Sequence, residues 1–339
     1  MRNVIDNGRI DPASDGGHAA RNARRRQRTI SRPAAAFGAL LLGLMLGGPA
    51  ADCQETPAGA PMPLRISAFR DITAFILDTA KGNGLMAVDV KYVKDADEAH
   101  ADLKTHQADI VFMSYDDTLS LALQDQYSDI AAVMPVHGGI LDLCGEIDPG
   151  RGKTLVGIDT DSGYARALRH YLHGRYPAPE DYAKLQWIRA GATNIRYEKL
   201  IAGQLDATLL NPPYSLKTGV RRMLDLHSII GAYQGVVANV NQSTLADAGR
   251  WVAVGEFIRA FTQTVDDMKT RPEPTIERLA QYYGLPSDEA RAVYQRLWQP
   301  DGLAVGKQLD QDQLAGTELL FAADTGLAVP TVRTWVLSF

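Results

Sequence analysis

From residue 63 onward the chain alternates between short β-branched or aromatic runs and helix-forming stretches, and halfway along the alternation begins again. "PLRISAF" reads as a strand, followed by a helix over Ile72 to Lys81, then strands "MAVDVKYV", "ADIVFMS" and "IAAVMPV" with helical segments between them. Such alternation predicts an α/β fold with a largely parallel sheet. The second round runs "KTLVGID", "GYARALRHYLHGR", "KLQWIRA", "NIRYEKLIAGQ" and "DATLLN". One segment of each round echoes the other: "LKTHQADIVFMSY" and "LIAGQLDATLLNPPY". Each is a helix end, a polar turn, an Asp, an apolar strand and a polar tip closing on Tyr. Two α/β lobes of similar build are expected. From about Arg250 the pattern turns helical, with Trp251, Val254, Phe257, Ile258, Phe261, Val265 and Met268 on one apolar face. Pro272 and Pro274 end that helix, and two shorter helices follow, the second with Ser287 as its N-cap.

What precedes residue 63 reads differently. Six arginines between Arg21 and Arg32, the apolar run Ala34 to Leu46 and the small-residue site Gly48-Pro49-Ala50-Ala51 form an export signal over 1–51. The apolar run is too short to span a membrane, which takes about 20 residues. Residues 52–62, "DCQETPAGAPM", are a linker. Cleavage after Ala50 removes eight Arg and three Asp, so the formal charge of −5 becomes −5 − 5 = −10. An acidic protein offers nucleic acid no general attraction, and none is expected as a partner. The two cysteines, Cys53 and Cys144, give neither a disulfide framework nor a zinc motif. Cys53 stands where a lipid anchor could attach, but Asp52 replaces the small residue that normally precedes one.

Ligands of parallel α/β sheets bind beyond the carboxyl ends of the strands. Four strand ends here carry polar or aromatic groups: "FRDI" (69–72), "SYDD" (114–117), "DTDSGYA" (159–165) and "NPPY" (211–214). In the third, Thr160 and Ser162 offer hydroxyls and Gly163 allows close approach to backbone N–H groups at a helix start, a layout suited to a carboxylate, sulfonate or phosphate. A simple helix cap by Asp161 or Ser162 explains the same residues. Arg70 could pair with an anion, or Asp71 with an amine. Asp116 and Asp117 add capacity for a positive or N–H-donating group. No P-loop, GxSxG elbow or HExxH is present, and the seven histidines are scattered. No catalytic residue, metal or cofactor is expected.

"QADIVFMSYDDTLSLA", "GKTLVGIDTDSGYARALRHYL", "AGATNIRYEKLIAGQLDATLLNPPYSL" and the late "FIRAFTQTVDDMKTRPEPTIERLAQYYGL" resemble the periplasmic solute-binding proteins of ABC importers, in the nitrate, taurine and alkanesulfonate group, which includes relatives binding thiamin-precursor pyrimidines. The resemblance covers roughly residues 63 to 325. It implies a two-lobed, type II periplasmic binding protein fold with two hinge strands. Lobe one would comprise 63–137 and 238–339, and lobe two 138–237, with hinges near "MPVHGG" and "YQGVVANV". It implies a monomer in the periplasm that passes a small organic ligand to a permease and ATPase at the inner membrane. Carried onto this chain, the ligand-facing residues are Arg70, Asp71, Ser114, Tyr115, Asp116, Thr160, Ser162, Gly163, Tyr164, Asn211 and Tyr214. An organic anion or zwitterion stacking on Tyr115, Tyr164 or Tyr214 is the expected ligand, with a pyrimidine-like heterocycle second. An enzyme on the same fold, or a sensory domain, are the rival classes.

Overall fold

The computed structural model describes residues 63–161 and 163–339. The expected export signal over 1–51, the expected linker with Cys53, and Ser162 lie outside the described residues.

Among the described residues ten strands form two five-stranded sheets. The first contains β1 (Leu64–Ala68), β2 (Val88–Tyr92), β3 (Ile110–Ser114), β4 (Ile130–Pro135) and β10 (Val236–Asn241), in the order β2-β1-β3-β10-β4. The second contains β5 (Asp142–Gly145), β6 (Thr154–Ile158), β7 (Leu185–Arg189), β8 (Ala207–Leu210) and β9 (Arg222–Asp225), in the order β7-β6-β8-β5-β9. Each order is the other's counterpart, and the two echoing segments supply the third strand of each sheet, β3 and β8.

Chemistry explains the echo. Asp109, at the foot of β3, accepts the backbone N–H of Arg65 in β1 at 2.8 Å. Asp206, at the foot of β8, accepts that of Leu155 in β6 at 2.6 Å. Each carboxylate thus fixes the register of its strand against the neighbouring parallel strand.

The sheets are mixed where a largely parallel arrangement was expected. β1 pairs in parallel with β2 and β3, and β6 with β7 and β8. β10 runs antiparallel between β3 and β4, and β5 antiparallel between β8 and β9. These antiparallel strands follow the two chain crossings between sheets, 136–141 and 226–235. A strand entering from the other lobe arrives reversed. β10 belongs to the first sheet from Val236, ahead of the boundary expected at 238.

The largest apolar cluster packs β1, β3, β4 and β10 against helices Ile72–Gly82, Ala248–Thr270 and Pro272–Tyr283 through Phe75, Phe112, Phe257 and Phe261. The long helix carries the predicted face except at Trp251, which is 44% exposed and stacks on Phe339 at 4.3 Å. Pro272 opens the next helix as well as closing this one, since the first helical position needs no N–H. Ser287 is the first helical residue rather than the cap, a position Pro286 holds. A second cluster covers the other face of the first sheet, and a third forms the core of the second lobe. Among the described residues no helix is long and apolar enough to cross a membrane.

Candidate functional site

The carboxyl ends of β1 and β3 face those of β6 and β8 across a cavity of about 60 Å³. Both lobes line it. The first contributes Phe69, Asp71, Ser114 and Asp117, and the second Asp159, Tyr164, Arg196 and Asn211. Room for a few waters or one small organic molecule excludes a polymer as occupant.

The carboxylates are held in place by their own elements. Asp71 caps helix Ile72–Gly82 by accepting the Thr73 N–H at 2.8 Å. Ser114 caps the short helix Tyr115–Leu119: its Oγ accepts the Asp117 N–H at 3.0 Å and donates to Asp117 Oδ2 at 2.6 Å. His100 Nε2 lies 3.4 Å from Asp117 Oδ1. Asn211, closing β8, donates its amide to the carbonyls of Gly139 at 2.8 Å and Ile140 at 3.2 Å, so one wall is tied to a crossing strand.

Burial dominates the electrostatics. It pushes the carboxyls of Asp71 and Asp159 up to about 6. Burial also pulls Arg196 below the ordinary guanidinium range, against the opposing pull of Asp159. Arg196 donates to the Leu209 carbonyl at 3.2 Å and to that of Gly191 at 2.5 Å. Tyr164 is partly exposed as a residue, yet its hydroxyl is buried and has no hydrogen-bond partner among the described residues.

A buried ion cluster spans the lobes beside this cavity. Asp116 accepts the Gly163 N–H at 2.9 Å and Arg166 Nε at 2.8 Å. Arg166, on helix Tyr164–Arg175 of the second lobe, also reaches Asp324 at 2.8 Å, Ser120 at 2.9 Å and Gln124 at 2.9 Å, all on the first lobe. Arg296 makes the reciprocal reach near the crossings, from the first lobe to Asp142 at 3.4 Å and Asp225 at 3.2 Å in the second.

Of the residues singled out in the sequence, Asp71, Ser114, Thr160, Gly163, Tyr164 and Asn211 line the cavity. Four others stand elsewhere. Arg70 is exposed, with its guanidinium 4.4 Å from the Tyr92 ring centre, because it alternates outward between the cavity-lining Phe69 and Asp71. Tyr115 is fully buried in the second apolar cluster, where its hydroxyl donates to Glu318 at 2.8 Å and accepts from Trp335 at 2.9 Å. Asp116 turns to Arg166. Tyr214 packs on Tyr197 and donates its hydroxyl to the Arg70 carbonyl across the cleft at 3.1 Å. Phe69, Asp159, Thr193 and Arg196 went unassigned as site residues. Arg196 could have been found as a lone charge on the inward side of its helix, between Thr193 and Leu200.

Searches of protein families and of curated proteins return no match to this chain. Solved structures do match. The chain is similar to the ligand-binding component of an ABC-type import system from Staphylococcus aureus, determined with zinc bound, at TM-score 0.64 and 10% identity over 82% of this chain and 97% of that one. It is similar to the alkanesulfonate-binding protein SsuA from Xanthomonas axonopodis pv. citri bound to MOPS, at TM-score 0.64 and 17% identity over 83% of this chain and 100% of that one. A Candida albicans protein described as having the generic periplasmic binding protein fold also matches at TM-score 0.64, with 13% identity over 81% of this chain and 96% of that one. At such identities the likeness speaks for architecture, and the chain has the two-lobed α/β fold of the periplasmic binding proteins.

Proposed function

We propose that the chain is an extracytoplasmic solute-binding protein. As a monomer it encloses one small organic molecule between its lobes and delivers it to an ABC permease driven by its ATPase. The observation that carries this reading is the cavity itself: it is walled by both lobes at the strand ends, and a buried ion cluster joins the lobes beside it. Two lobes that close on a ligand by a hinge use such a cavity, and the ion cluster would hold them together once closed. The export signal read over 1–51 and the described functions of two of the structural neighbours support the same role.

Binding without turnover fits the chemistry present. The Cys144 thiol is buried and pushed up to about 12, and burial brings His137 down to about 4; neither lines the cavity. Among the described residues no group of His, Cys, Asp or Glu is placed to hold a metal ion. Of the ligands expected from the sequence, an organic anion or a zwitterion, the carboxylates around the cavity favour the zwitterion.

Equilibrium dialysis of the purified protein against a mixed metabolite extract, read by mass spectrometry, tests the role. Retention of one small molecule in a one-to-one complex is the expected result. Retention of none, with turnover of a component or capture of a protein partner instead, contradicts it.

A further inference from the structure

We infer that the cavity recognises an organic cation or zwitterion, with its N–H-bearing nitrogen seated among Asp71, Asp117 and Asp159 and beside the Tyr164 hydroxyl. The inference rests on the solute-binding reading and names the chemistry of its ligand.

Three observations carry it. Three carboxylates line the cavity against one guanidinium, Arg196. Two of them come from the first lobe and one from the second, so a positive group between them would draw the lobes together. Asp71 and Asp117 are buried and Asp159 half-buried, so such a charge is attracted more strongly than at a surface.

Second, the anion seat expected from the sequence is filled by the protein. The start of helix Tyr164–Arg175, where the sequence suggested an anion seat, offers backbone N–H groups and a helix dipole that would favour negative charge. The Gly163 N–H already donates to Asp116 Oδ1, and Arg166 satisfies the same oxygen. Asp117 Oδ2 stands 3.1 Å from where a Gly163 Cβ would be. A sulfonate or carboxylate placed there would displace one carboxylate and meet another.

Third, Tyr164 lines this space, and its hydroxyl is buried with no partner among the described residues. A buried hydroxyl left unpaired is costly, and a ligand N–H within reach would satisfy it. Phe69, Ile158, Leu168, Leu209 and Val236 complete the walls with apolar surface. The body of the ligand is therefore compact and largely apolar or flat, with amine, amidine or amino-heterocycle character at its polar end. Arg196 lines the same cavity and supplies its positive charge to an acceptor elsewhere on the ligand.

The test is thermal unfolding of the full mature chain against a charge-sorted panel of metabolites. The panel contains primary and quaternary amines, amidines, aminopyrimidines and amino acids, then sulfonates, carboxylates and phosphates without a cationic group, then divalent metal salts. Stabilisation confined to cations and zwitterions is expected. Asp117→Asn and Asp159→Asn should each weaken binding of the strongest hit about tenfold or more by calorimetry, the scale of losing a hydrogen bond to a charged group, while melting cooperatively without ligand. Stabilisation by anions or metal ions alone overturns the inference and leaves the solute-binding reading standing. Cation binding that survives both substitutions unchanged also overturns it. No stabilisation by any member overturns the solute-binding reading and the inference with it.

Discussion

Gly163 shows how much one residue decides. Its φ of 60° and ψ of −135° lie where side chains other than glycine are strained. A Cβ there would meet Ser114 Oγ and Asp117 Oδ2, both at 3.1 Å, across the cleft. The sequence suggested that this glycine lets a ligand approach; in the structure it lets the opposite lobe approach. Gly163→Ala should therefore oppose closure and weaken ligand binding by about 1–3 kcal/mol. Calorimetry that returns the wild-type affinity would refute that role. Arg166 is the complementary case. Removing one member of a buried ion pair costs about 3–5 kcal/mol when the remaining charge stays buried. Here opening the lobes returns Asp116 to water and relieves much of that cost. Arg166→Ala should thus enlarge the radius of gyration measured by small-angle scattering more than it lowers the melting temperature. An unchanged radius with a large drop in melting temperature would make Arg166 a core element rather than a clasp.

At the scale of elements, the paired carboxylates Asp109 and Asp206 give a prediction that separates two environments. Asp109 is 3% exposed and also meets Arg65 and Arg250, whereas Asp206 is exposed. Asp109→Ala should cost about 1–3 kcal/mol in urea unfolding, and Asp206→Ala clearly less. Equal costs would mean that the shared register bond, not burial, carries the stability. The same pair explains what could be read from sequence. An Asp before an apolar strand, repeated in both halves, is a local signal with a local cause, so β3, β8 and their neighbours were legible. β5 and β9 were not: "DLCG" and "RMLD" are short, half polar, and become strands only because β8 and each other supply partners. Helix Gln311–Thr325 was missed for a similar reason. Its apolar residues do not segregate to one face, because it packs against both helix Tyr115–Leu119 and helix Tyr164–Arg175. In the site, the rule that ligands meet strand ends singled out Asp71, Ser114 and Asn211, which line the cavity. That rule could not say that Arg70 turns outward or that Tyr115 enters the core, since it picks out strand tips without setting the direction of each side chain.

The whole molecule should respond to pH in two opposite ways. Burial raises the carboxyls of Asp71 and Asp159 to about 6 and that of Asp116 to about 7, above their unfolded values. A carboxyl raised on folding binds its proton more readily in the native state, so it adds stability as pH falls from about 7 toward 5. His100 acts in the same direction: burial lowers it, but Asp117 raises it further, so it too holds its proton better when folded. His137 opposes them. Burial lowers it to about 4, so its contribution is lost as pH falls from about 6.5. Three carboxyls and His100 outweigh one imidazole, and the unliganded protein should melt at a higher temperature at pH 5 than at pH 7.5. Affinity for a cation should fall over the same interval, because protonated Asp71 and Asp159 no longer attract it, while Arg196 stays charged throughout. A melting temperature and an affinity that fall together on acidification would contradict this division. The most direct measurement is a crystal structure of the protein with the ligand retained in dialysis. The account predicts closed lobes, the Gly163 to Asp116 bond intact, and a ligand nitrogen within hydrogen-bond distance of Asp117 or Asp159 and of the Tyr164 hydroxyl. A ligand outside the interlobe cavity, or one whose acidic group replaces Asp116 on the Gly163 N–H, would contradict it.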